Sequence, residues 1–84
     1  MLLRIYSVHD GAVGAFMTPF FERSDASASR AFSAAIMDEK HAMSRFPSDY
    51  VLHFVGIFDD SSGRVSCDDA SQVLLRGVDV AKAK

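Results

Sequence analysis

PSDYVLHFVGIFDDSSGR, residues 47–64, is the stretch on which the fold turns. From Tyr50 to Phe58 almost every position is apolar, and the run ends at two aspartates, two serines and a glycine. A short run of this kind reads as a central strand buried on both faces. Side chains alternate along a strand. Tyr50, Leu52, Phe54 and Phe58, with Gly56 among them, are therefore expected on one face, and Val51, His53, Val55 and Ile57 on the other. Asp59 to Gly63 reads as a four- or five-residue hairpin turn with Gly63 in the left-handed conformation, leading into a short strand, Arg64 to Cys67.

Upstream, LLRIYSVH (residues 2–9) alternates with period two and is followed at once by Asp10-Gly11. Asp-Gly after such a run signals a tight type I′ hairpin, with a return strand in AVGAFMT before Pro19. A short helix capped by Asp10 is the rival reading of that return segment, weakened by Gly14 and Pro19. DASASRAFSAAIMDE, residues 25–39, is rich in alanine, and either Ser24 just before it or Asp25 at its start can cap the first N–H groups of a helix. At 3.6 residues per turn, Ala28, Phe32, Ala35, Ile36 and Met43 share one face, and Arg30, Ala34, Met37 and His41 lie opposite. Glu39 would fall on the apolar face, so the helix is expected to fray near Asp38. Residues 71–80, SQVLLRGVDV, read as a strand or as a short helix broken at Gly77, and residues 81–84 as a frayed tail.

These elements predict one α+β domain over residues 1–84: a small antiparallel sheet in ββαββ order with one main helix packed on one face. A domain of this size buries only about 60 to 65% of its unfolded surface. One helix covers one face of the sheet. The other is expected to be buried in a homodimer through Val51, His53, Val55 and Ile57, or to be covered by the C-terminal segment.

Composition limits the function. Nearly half the residues are apolar, seven of them Phe, so the chain folds rather than staying disordered. Cys67 is the only cysteine, which excludes an internal disulfide and fits a reducing compartment. The first residues lack the pattern of a secretion signal, and no apolar run is long enough to span a membrane. His9, His41 and His53 share no ligand spacing, Asp59, Asp60, Asp68 and Asp69 lack the alternation of a calcium loop, and no nucleophile elbow or phosphate loop is present. No enzyme, metal or cofactor is expected. The net charge of −2 argues against a strongly basic nucleic-acid glove. The basic residues of the first half, Arg4, Arg23, Arg30, Lys40 and Arg45, are the candidates for phosphate contacts, with Tyr6, Phe20 and Phe21 as candidate stacking surfaces for bases. For each aromatic, core packing is the competing role.

Five short motifs occur in order: S-V-H-D (Ser7 to Asp10), A-V-G-A-F-M-T-P-F-F (Ala12 to Phe21), A-x-R-x-F (Ala28 to Phe32), P-x-D-Y (Pro47 to Tyr50) and G-I-F-D-D-x-x-G (Gly56 to Gly63). In this order they resemble the small nonstructural protein of gokushoviruses, microviruses that infect bacteria and carry circular single-stranded DNA. The resemblance implies a nonstructural accessory protein in the host bacterial cytoplasm. It would bind DNA, with the single-stranded form expected, during genome replication, and a viral replication protein is a further implied partner. The non-enzymatic alternative is a small homodimer that binds a viral or host protein and touches no nucleic acid.

Overall fold

In the computed structural model, which describes residues 1–68 and 70–83, β1 (Leu2–Asp10) and β4 (Tyr50–Asp59) run antiparallel along the middle of a six-stranded sheet. β2 (Ala15–Phe16) and β3 (Phe20–Glu22) follow one another along the outer side of β1. β5 (Arg64–Ser66) and β6 (Gln72–Arg76) do the same along β4, and every pairing is antiparallel. α1 (Asp25–Met37) packs on one face, and α2 (Gly77–Lys82) ends the described chain beside it. The class is α+β, but the structure departs from a plain ββαββ order. Each edge strand is split in two, and a second helix follows the sheet.

The two hairpins turn by the same device. Gly14 and Gly63 both adopt φ 75°, and each donates its N–H to an aspartate carbonyl four residues back, Asp10 or Asp59, at 2.8 Å. The carboxylates of those aspartates cap the turns, accepting from the Ala12 and Ser61 N–H groups. Gly63 takes the expected left-handed role. The first turn is four residues wide rather than a two-residue Asp10-Gly11 turn, and Gly11 instead donates to the Asp49 carbonyl at 2.7 Å. The wider turn pairs His9 with Phe16. Pro19, which has no N–H to give the ladder, separates β2 from β3.

Ser24 caps α1 in a reciprocal pair with Ser27: the Ser24 hydroxyl accepts from the Ser27 N–H, and the Ser27 side chain accepts from the Ser24 N–H. The helix stops at Met37, with Asp38 already extended, before Glu39 would meet the apolar side. Its buried residues are Ala28, Phe32 and Ile36, and they join Tyr6, Val8, Leu52, Met43 and Val80 in one core. Gly77 opens α2 where a Cβ would collide with the Pro47 carbonyl oxygen, so only glycine lets the helix seat there. The segment expected to fray, residues 81–84, begins within a helix, and Lys84 lies outside the described residues. α2 is helical through Lys82, because Val80 and Ala81 find places on the core.

β4 does not keep one alternation along its length. Ile5 pairs with Gly56 and Tyr6 with Phe54, which leaves Val55 as the extra residue of a bulge. Beyond it the faces exchange. Ile57 pairs with Arg4, whose side chain lies on the helix side, so Ile57 belongs to the helix side and not to the open face where alternation had placed it. Phe58 moves the other way and packs its ring 6.1 Å from Phe21.

Candidate interaction surface

The sheet presents two unlike faces. On the helix side, Tyr6 is fully buried: its ring stacks on Phe20 at 5.9 Å and meets Phe54 edge-on at 5.8 Å. Its hydroxyl donates to Asp25 Oδ1 at 2.6 Å and accepts from Arg4 Nε at 2.9 Å. The Arg4 guanidinium pairs with the same carboxylate at 3.0 Å and lies 4.1 Å over the Phe54 ring. The Tyr6 hydrogen bond, with Arg4 behind it, holds the Asp25 carboxyl below the ordinary range, while burial raises Tyr6. These contacts correct the sequence expectation for both residues. Tyr6 has no surface on which a base could stack, and Arg4 is committed to Asp25 and Phe54. The pattern of alternation alone misled here, because β1 is central and buries Ile5, Tyr6, Ser7 and Val8 in succession.

The other predicted phosphate contacts are at the surface. Arg30 is exposed on the turn of α1 opposite Ala28, Phe32 and Ile36, and Arg23, Lys40 and Arg45 are exposed just before and after that helix. Among the described residues the two ion pairs are the Met1 amino group with Asp60 and Arg4 with Asp25, and neither engages these four side chains. Arg30 therefore points away from the sheet on the helix side, Lys40 and Arg45 lie in the segment that follows α1, and Arg23 sits at the junction of β3 and α1. His41 has a local task there: its Nδ1 accepts from the Met43 N–H at 3.2 Å, which requires the lone pair that a proton would remove.

The opposite face carries no helix. Val51, His53 and Val55 are half-buried on it, as expected for a second strand face, and β1 contributes Ile5, Ser7 and His9. Around them Phe16 is 49% exposed, Phe21 54%, Val65 63% and Val73 51%. Bulky apolar side chains left this open on one continuous face are what a buried contact would use. A groove of about 290 Å³ runs between Ser7, Phe16, Met17, Pro19, Val55 and Ser71. The Ser7 hydroxyl, buried beneath it, donates to the Met17 carbonyl at 2.6 Å, so the floor offers no unsatisfied polar group. His53 Nδ1 lies 2.8 Å from Ser71 Oγ, and burial first, then the proximity of His9, lowers the His53 pKa below the ordinary histidine value.

Sequence reasoning missed the aromatic centre of this face. The cluster of His9, Phe16 and His53 depends on the register of the first hairpin, and a two-residue turn would have placed Phe16 elsewhere. The Asp10…Gly14 and Asp59…Gly63 spacings are the same, which was the available signal. Asp59, one of the four aspartates weighed as a cation site, uses its carboxylate on Ser61, and Asp69 lies outside the described residues. No helix of the described residues is long and apolar enough to cross a membrane.

Residues 3–80 match the family model described as Phage ORF5 protein. No curated protein and no solved structure matches the chain.

Proposed function

This chain belongs to the Phage ORF5 protein family, and we propose that it is a non-enzymatic phage accessory module that works as a homodimer closed through the open sheet face. The single observation behind this reading is the contrast between the two faces. α1 closes one, and the other leaves Phe16, Phe21, Val65 and Val73 in water. The size of the face suits a second copy. β1 and β4 are nine and ten residues long, so with four strands abreast the face measures roughly 30 by 17 Å. Two such faces would bury on the order of 1,000 Å², the lower limit for a specific contact. Charge suits it too: Arg76, opposite Val51, is the one charged side chain that strand pairing brings to this face among the described residues, so two copies meet with little repulsion. Val51, His53 and Val55 keep their proposed place in the seam.

DNA is the partner to which the gokushovirus resemblance points, and the location of the exposed basic residues is compatible with it. Arg30 points away from the sheet on α1 and Lys40 and Arg45 follow that helix, so a dimer closed through the opposite face keeps both sets free for phosphates in the host cytoplasm, with Arg23 at the β3–α1 junction as a further candidate. The protein-interaction alternative draws support from the net charge of −2. Fluorescence anisotropy with labelled single- and double-stranded oligonucleotides across a salt series separates the two. Binding that weakens steeply with salt supports the DNA reading, and no binding at low salt moves the assignment to a protein partner.

A further inference from the structure

Two imidazoles stand in the middle of the open face. The His9 and His53 ring centroids are 6.2 Å apart, and the Phe16 ring meets both edge-on, at 4.8 Å and 5.0 Å. Neither ring has a carboxylate partner among the described residues. Asp10, next to His9, pairs with Tyr50 on the helix side and spends its carboxylate on the Ala12 N–H. Apart from the two histidines, β1 to β5 bring no charged or titratable side chain to this face. β6 brings Arg76, which pairs with Val51, itself opposite His9, and so lies roughly 10 Å from that ring. Cys67 and Asp68 line a separate hollow with Phe54, Gly56 and Ile57. α1 and α2 lie against the other face.

We infer that the His9–His53 pair makes closure of the open face proton-sensitive, so that two copies associate at neutral pH and separate on mild acidification. The inference rests on the homodimer reading. An isologous contact brings four imidazoles and two arginines into one apolar seam to which the strand pairings of the described residues bring no carboxylate. Protonation there sets like charges against each other in a medium that solvates them poorly. Each imidazole that must shed its proton to enter the seam raises the dissociation constant about tenfold per pH unit below its own pKa, and the symmetric contact contributes one such factor from each copy's ring. The charge of the whole chain runs the other way. It is −2 at pH 7 with a pI near 5.8, so overall repulsion between copies falls on acidification and cannot produce the loosening.

The test is sedimentation velocity at about pH 7.5 and about pH 5.5, across the range in which histidine titrates, with circular dichroism to verify the fold at both. The dissociation constant should rise at least about tenfold at the lower pH. In a His9→Gln, His53→Gln double variant the ratio between the two pH values should fall below about two, whatever its affinity at neutral pH. A monomer at neutral pH and about 100 μM overturns the homodimer reading itself. A dimer equally tight at both pH values overturns the proton switch alone, and an unchanged ratio in the double variant overturns its assignment to these two rings. If that variant does not fold, imidazole proton shifts of the unmodified protein decide: His53 should titrate at lower pH in a concentrated sample than in a dilute one, and identical curves refute the inference.

Discussion

Removing one oxygen tests the helix side of the structure most finely. Tyr6→Phe keeps the ring in its place between Phe20 and Phe54 and deletes the hydroxyl that joins Arg4 to Asp25. A hydrogen bond to a charged group contributes about 1.5 to 3 kcal/mol. Asp25 and Arg4 are 50% and 32% exposed, so solvent screening reduces the expected loss to about 1 to 2 kcal/mol. For a domain of this size that is a fall of roughly 5 to 15 °C in melting temperature. The loss should also depend on pH. The folded Asp25 pKa is depressed, chiefly by the Tyr6 hydrogen bond, so its contribution is present above the unfolded value of about 3.9 and disappears as pH falls through the folded one. Urea melts of both proteins at neutral pH and near pH 3 measure this directly. The reasoning is refuted if the variant lies within about 0.3 kcal/mol of the unmodified protein at neutral pH, or if the gap is unchanged in acid.

Three further outcomes follow from the same geometry. Phe32→Ala should cost about 3 to 5 kcal/mol and unfold much of the population, whereas Arg30→Ala on the opposite side of α1 should stay within about 0.5 kcal/mol, both read by urea midpoints. Gly77→Ala sets a methyl against the Pro47 carbonyl and Ile36 Cδ1, and should lower stability by about 1 to 3 kcal/mol; an unchanged midpoint would show that α2 sits differently. If DNA is bound, four to six phosphate contacts in the dimer give a log–log salt slope of roughly −3 to −4. Arg30→Ala should then weaken binding to all sequences alike and flatten the slope. Equal affinity for a combined Arg23, Arg30 and Arg45 alanine variant would remove the helix side as the DNA surface.

Much of this fold was legible in the sequence, because it rests on local rules. The period of Leu2 to His9, the apolar run from Tyr50 to Phe58, the Ser24 cap and the Phe32–Ile36 stripe each name their element, and the structure places them so. What escaped depends on registers that no local rule sets. The Val55 bulge carries Ile57 to one face and Phe58 to the other, and nothing in the largely apolar run from Tyr50 to Phe58 marks where the extra residue falls. The wide Asp10–Gly14 turn moves Phe16 opposite His9, which creates the aromatic centre of the open face. Tyr6 was misjudged for a related reason. Its alternation pattern is that of a two-faced strand, while its burial comes from being flanked on both sides by other strands. C-terminal residues 72–82 were ambiguous in sequence because both readings were true in part: the strand ends and the helix begins at the Arg76–Gly77 junction.

The central claim is that a second copy covers the open face, and an isotope-filtered nuclear Overhauser experiment on an equal mixture of labelled and unlabelled chains tests it most directly. At about 0.5 mM, well above a micromolar dissociation constant, intermolecular cross-peaks should link Phe16, Phe21, Val55 and Val73 of one copy to the same set on the other. They should vanish in Val73→Glu, whose side chain is half exposed at the edge of the face and whose fold should survive. Cross-peaks from the exposed side of α1 instead, or no intermolecular peaks at all, would contradict the account.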